Sequence, residues 1–219
     1  PEMPLDRHLA LIDAHDARVD VREAVEQRSK ETGSHVRRVA LYSHLFATKY
    51  GLDPQLADLI KLASPLHDVG KIAIPDSILK KPGKLDAEEW TIMQTHAQLG
   101  ADLLQSNDNE VVKMGSIIAG QHHERWDGTG YPKGLKRDQM SQPARMMAIA
   151  DIFEALTAND RPYKEPKTLT ETLKIMGFMK KDNHIDPDLF DVFIDKKIYM
   201  DFAAKYLDDS QIDEVKVDD

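Results

Sequence analysis

Apolar residues recur every three to four positions along most of this chain, and no stretch alternates in the two-residue rhythm of a half-buried strand. Residues Asp20 to Arg28 read as the end of an exposed helix. A helix is predicted from Ser34 to Tyr50, with Val36, Val39, Ala40, Ser43 and Ala47 as its apolar stripe and Gly51 as its stop. Asp53-Pro54 opens the next, carried by Leu56, Leu59, Ile60 and Ala63, with Pro65 marking a break before His67. Gly70, Pro75, Pro82 and Gly83 punctuate an irregular stretch. Asp86 to Glu89 has the form of a capping box and starts a helix to about Gln105. Further helices are predicted from Glu110 to His123, from Pro143 to Ala158, from Asp186-Pro187, and from Asp201 to Leu207.

The expected fold is therefore all-α, a single helical bundle over residues 26–207. Residues 1–25 read as a connector helix or linker and 208–219 as a solvated acidic tail. A chain of 219 residues can bury a substantial core. It contains no apolar run of the ~18 residues that would suggest a membrane span. Pro1-Glu2-Met3-Pro4 lacks the basic flank and apolar stretch of a secretory leader, its start on Pro suggests a fragment or processed chain, and a cytoplasmic location is expected.

Charge and cysteine count narrow the chemistry. With 38 acidic against 29 basic residues, the formal net charge of −9 disfavours long nucleic acids, whose binding depends on neutralising phosphates. A small anion in a locally positive pocket remains compatible. Cysteine is absent, which excludes disulfides, thiolate metal sites and cysteine nucleophiles.

Candidate ligands remain among His, Asp and Glu. Glu31 and His35 are four apart and share a face if their helix begins early enough, although such pairs are more commonly solvated. His67-Asp68 ends an apolar helix beside Leu62, Ala63 and Leu66. A carboxylate there needs either a cation or Lys71. His96 lies on a face with Met93, Gly100 and Leu103, where a histidine satisfied by a carbonyl is the ordinary outcome. Asp151 sits among Met147, Ala148, Ile152 and Ala155 with no Lys or Arg one turn away. His122 and His123 are adjacent; on a helix their side chains diverge by about 100° and could share an ion only if other ligands converge. Singly these are ordinary residues. Jointly Glu31, His35, His67, Asp68, His96, His122, His123 and Asp151 exceed what one ion needs, and their N and O donors suit Fe, Mn, Ni, Co or Zn.

His67-Asp68-Val69-Gly70-Lys71 with Ile74-Pro75 resembles the HD-x-G-K motif of the HD phosphohydrolase superfamily. His122-His123-Glu124-Arg125-Trp126-Asp127-Gly128-Thr129-Gly130-Tyr131-Pro132 resembles the defining motif of its HD-GYP subfamily, complete in every element. The resemblance spans about Lys30 to Pro187. One departure is Ala97, where the family often has Pro.

The resemblance implies a phosphodiesterase that opens a cyclic dinucleotide messenger, cyclic di-GMP or 3′,3′-cyclic GMP-AMP. The products would be a linear dinucleotide or mononucleotides, and the nucleophile a metal-bound hydroxide. It implies one ion held by His35, His67, Asp68 and Asp151, and a second held by Asp68, His96, His122 and His123. Glu31 would add a third, giving two or three divalent ions, with Fe and Mn first among the metals. Asp68 and Lys71 take catalytic roles by the same resemblance. Lys71, Tyr131, Arg161 and Lys164 would face substrate, the last two with a one-residue difference in spacing after Asp151. The GYP loop would contact diguanylate-cyclase domains, and an upstream sensory domain is compatible with it. Two alternatives are a sensor or docking module without turnover, and an HD-type nucleotidase. A complete ligand set argues against the first, and His122-His123 with the GYP loop against the second.

Overall fold

The computed structural model describes residues 33–105, 108–160 and 165–215. Glu31, Arg161, Lys164 and the expected connector over 1–25 lie outside them. Among the described residues the regular structure is helical, without a β-strand. Its α-helices are α1 (Gly33–Tyr50), α2 (Pro54–Ala63), α3 (Asp76–Leu79), α4 (Ala87–Leu104), α5 (Glu110–Ala119), α6 (Gln142–Thr157), α7 (Leu169–Lys181), α8 (Pro187–Asp195) and α9 (Ile198–Tyr206).

Local sequence explains most of these boundaries. Asp53 accepts from the Gln55 amide at 2.9 Å and Pro54 opens α2. Asp86 and Glu89 cap α4 reciprocally, each bond 2.9 Å long. After Ala63 the chain tightens into a 3₁₀ turn over Ser64–Leu66 and, beyond Asp68, another over Val69–Ala73. Pro65 thus marks a change of helix type. Helix α5 stops at Ala119, short of the expected His123, because Gly120, a poor helix former, closes it and 121–123 form a turn. Helix α7 is not among the expected elements. Its signal is the capping box of Thr168 and Glu171 ahead of Leu169, Leu173 and Met176. Helix α9 begins three residues before the expected Asp201.

Helix α1 packs against both α2 and α6, and α5 bridges α2 and α4. The larger core lies among α1, α6, α8 and α9, where Tyr42, Phe46, Phe153, Phe193 and Phe202 are fully buried. Tyr42 stacks on Phe202 with ring centroids 3.9 Å apart. Each such side chain contributes about 1.5–3 kcal/mol of burial. A smaller cluster of Leu66, Val69, Leu104 and Ala119 holds the 3₁₀ turns against α4 and α5. Two expected core positions are corrected: Leu62 and Leu103 are exposed, and α4 buries His96, Ala97, Gly100 and Leu104 instead.

The chain beyond Asp208 reads as solvated, yet residues 208–215 dock on the bundle. The Gln211 side-chain amide donates to the carbonyls of Thr157 and Lys167, at 2.8 and 3.0 Å. Asp213 accepts from the Thr170 amide at 2.9 Å, and Ile212 and Val215 pack on the main core. No described helix is long and apolar enough to cross a membrane.

Candidate metal centre

Five segments converge on one group of side chains. His35 comes from the first turn of α1, and His67 and Asp68 from the break after α2. Helix α4 supplies His96, the turn after α5 supplies His122 and His123, and α6 supplies Asp151. Gly70 allows this approach: a Cβ there would lie 1.9 Å from the His96 carbonyl oxygen and 2.5 Å from the Gly100 nitrogen.

The side chains form two adjoining groups. Ligand atoms of Asp68, His96, His122 and His123 all lie within 4.8 Å of one another, and so do those of His35, His67 and Asp151. Asp68 faces both. Its Oδ1 lies 3.2 Å from Nε2 of His96 and 3.6 Å from Nε2 of His122. Its Oδ2 lies 3.1 Å from Nε2 of His67 and accepts from Lys71 at 2.7 Å. Lys71 therefore does pair with Asp68, but at one oxygen only.

Ring protonation decides what these contacts mean. Nδ1 of His67 lies 2.8 Å from the Ser64 carbonyl, Nδ1 of His96 2.7 Å from that of Met93, and Nδ1 of His122 2.9 Å from that of Ala119. A carbonyl only accepts, so each Nδ1 carries a proton, and in the neutral form of such a ring the Nε2 lone pair turns inward. In that form His96 and His122 present lone pairs to the anionic Oδ1 of Asp68. Acceptor facing acceptor is repulsive unless a cation or proton lies between them.

Nε2 of His96, Nε2 of His122 and Oδ1 of Asp68 are buried and meet no partner in hydrogen-bond geometry. Leaving three buried polar atoms unsatisfied costs roughly 1–3 kcal/mol each, a large share of the ~5–15 kcal/mol that holds a domain folded. Burial also holds the His122 imidazole below its usual range despite Asp68 beside it, which disfavours a proton as the solution. Burial and the neighbouring His122 push His123 well below that range. Burial alone would raise Asp68, yet Lys71 and the imidazoles hold it well below the carboxylate norm. The donor set fits divalent cations.

The expected divergence of His122 and His123 does not occur, because they lie in a turn and their ring centroids are 3.9 Å apart. Asp151 is less buried than its apolar neighbours suggest. Its side chain is 23% exposed, with Oδ1 3.6 Å from Nε2 of His35.

A cavity of about 470 Å³ opens beside the centre, lined by His122, His123 and Asp151 together with Trp126, Arg145 and His184. Tyr131 lies at its edge, its ring centroid 4.7 Å from that of His123. The loop holding Tyr131 is fixed by Glu124, whose buried carboxylate accepts from the amides of Lys133 and Leu135 at 2.7 and 2.9 Å. Gly130 has no room for a side chain, since a Cβ would meet the Arg125 nitrogen at 2.4 Å.

Two further residues escape a reading by motif. Glu154, fully buried on α6, accepts from Nδ1 of His35 and from the guanidinium of Arg38. Arg38 also reaches Asp160 at 2.9 Å. The available signal is spacing: Glu154 follows Asp151, and Arg38 follows His35, by three positions on a helix.

A family profile described as HD domain matches residues 21–189. Over 172 residues the chain is 50% identical to "3'3'-cGAMP-specific phosphodiesterase 2" of Vibrio cholerae serotype O1, covering 78% of this chain and 33% of that protein. It is 40% identical over 171 residues to the "Cyclic di-GMP phosphodiesterase response regulator RpfG" of Xanthomonas campestris pv. campestris, covering 78% and 45%. The chain thus spans between a third and a half of these relatives. Among solved structures, "Bd1817, a HDG"Y"P protein from Bdellovibrio bacteriovorus" superposes with a TM-score of 0.57 at 26% identity, covering 76% of this chain and 51% of that one. The PgpH HD domain of L. monocytogenes, solved in complex with cyclic-di-AMP, shares the fold at a TM-score of 0.60 and 17% identity, with coverage of 86% and 98%.

Proposed function

The chain belongs to the HD domain family, and from that premise we propose that it hydrolyses a phosphodiester of a cyclic dinucleotide, cyclic di-GMP or 3′,3′-cyclic GMP-AMP. The observation that carries this reading is Asp68, which turns one oxygen to each of two adjoining ligand groups.

His35, His67 and Asp151 with Oδ2 of Asp68 would hold one divalent ion, and His96, His122 and His123 with Oδ1 would hold the other. Glu31 would serve a third. Fe and Mn head the compatible metals. Ions bound there would lower the pKa of a water and screen the phosphodiester charge.

The chain's own residues supply the rest. The Nδ1–H bonds to Ser64, Met93 and Ala119 aim the three imidazoles before substrate arrives, so little reorganisation remains for the reaction. Lys71 stands beside Asp68, where its ammonium can neutralise a non-bridging phosphate oxygen. Arg161 and Lys164 would add positive charge, and Tyr131 would border the substrate. A cavity of about 470 Å³ suits a ligand of nucleotide size. The Tyr131 loop is also the surface we assign to a cyclase-domain partner.

The test is turnover of both substrates by anaerobically purified chain loaded with Fe or Mn, with products separated chromatographically. Linear dinucleotide or mononucleotide from the parent, and none from the His67→Ala/Asp68→Ala variant, is the expected result. Equal turnover by that variant defeats the assignment.

A further inference from the structure

We propose that Glu154, braced by Arg38, is the positioning residue that keeps His35 in the ring form able to take a metal ion. The inference rests on the metal reading above.

His67, His96 and His122 orient themselves on carbonyls one helical turn earlier. His35 sits in the first turn of α1 and takes a different acceptor, the Glu154 carboxylate on α6. That carboxylate fixes the proton on Nδ1 and leaves Nε2 facing Asp151, 3.6 Å away. A carboxylate acceptor also makes the imidazole a stronger donor to a cation than a carbonyl does.

Arg38 holds the carboxylate in turn. Its Nε and Nη2 donate to Oε1 of Glu154, leaving Oε2 for His35. Its Nη1 and Nη2 also bond Asp160, at 3.2 and 2.9 Å, so the guanidinium is fixed from a second side. Two helices thus exchange contacts in pairs, His35 and Arg38 from α1 with Asp151 and Glu154 from α6.

This arrangement predicts an unusual response to an isosteric change. In Glu154→Gln the two Arg38 donors still require the amide oxygen, which turns the amide NH₂ towards His35. Nδ1 must then accept, and the ring proton moves to Nε2, the atom meant for the ion. Removing the guanidinium with Arg38→Met frees the amide to rotate and present its oxygen to Nδ1 again.

Mn²⁺ titration of the metal-free chain, followed by EPR, distinguishes these states. The expected result for Glu154→Gln is a 10- to 100-fold loss of affinity for one ion, roughly the size of a lost outer partner. The remaining binding is parental. Glu154→Gln/Arg38→Met returns to within a few-fold of the parent. A purely packing role would instead make the double variant weaker than the single.

A parental isotherm for Glu154→Gln overturns the proposal, as does a double variant no better than the single. Should Glu154→Gln fail to fold, the double variant, which buries no charge there, is titrated alone. Parental binding supports the proposal and loss of one ion overturns it. A parent chain that binds no Mn²⁺ removes the metal reading itself, a result separate from either.

Discussion

Gly70→Ala tests whether the 3₁₀ turn beside Asp68 and the ligand face of α4 are held at one fixed separation. The new methyl would stand 1.9 Å from the His96 carbonyl oxygen, 2.5 Å from the Gly100 nitrogen and 2.9 Å from the His96 carbonyl carbon. All three are backbone atoms, so no side chain can swing aside and the turn and helix must separate. Overpacking of this kind costs about 3 kcal/mol at the upper end of its usual range. For a domain of this size each kcal/mol lowers Tm by roughly 2–4 °C, which gives a fall of about 6–12 °C in the metal-free chain.

The same displacement moves His96 away from Asp68, so Mn²⁺ affinity falls with stability. Gly177→Ala is the control, because nothing lies within 4 Å of its Cβ position in α7. There the gain in helix propensity should stabilise the chain by up to about 1 kcal/mol. Differential scanning calorimetry of both variants decides the matter. A Gly70→Ala chain that melts with the parent, or loses no more than a typical surface variant, refutes the claimed contact.

Asp68→Asn keeps the shape but removes the charge shared between the two ligand groups, so both ions should bind more weakly by about tenfold or more and turnover should vanish; unchanged metal content in elemental analysis contradicts the shared role. Glu31→Ala should lower the bound-metal count by one while sparing the rest, and an unchanged count rules out a third site there. His184 gives a pH signature. Burial and Arg125 hold its imidazole below the usual 6.5. As pH falls below 6.5 the unfolded chain therefore takes up a proton that the folded chain resists, and stability declines. His184→Gln should flatten the fall in Tm between pH 7.5 and 5.5, and identical slopes refute the assignment.

The fold is legible in the sequence where a residue's meaning is local. Asp53-Pro54, the Asp86 capping box and the stripe from Val36 to Ala47 need only their neighbours, and their helices stand where expected. The candidate ligands His35, His67, Asp68, His96, His122, His123 and Asp151 are brought together. They were legible because that many imidazoles and carboxylates beside apolar stripes have few other uses. What stayed hidden depends on partners far along the chain. Spacing puts Glu154 one turn after Asp151, but its bond to His35, 119 positions away, arises only when α1 and α6 pack. The outward turn of Leu62 and Leu103 was equally hidden, since an apolar residue may face solvent at modest cost. The docking of 208–215 rests on Gln211 and Asp213, polar residues that a charge count assigns to water.

Glu124 couples the loop at the cavity edge to the turn that carries His123. Its backbone follows directly on His123, while its carboxylate clasps the amides of Lys133 and Leu135. The loop and His123 are consequently tied twice, through Glu124 and through the Tyr131 amide, which donates to the His123 carbonyl at 3.2 Å. A load placed on residues 131–135 is therefore passed to the backbone that carries His123, a route from the loop surface to the ligand group that needs no direct contact between them.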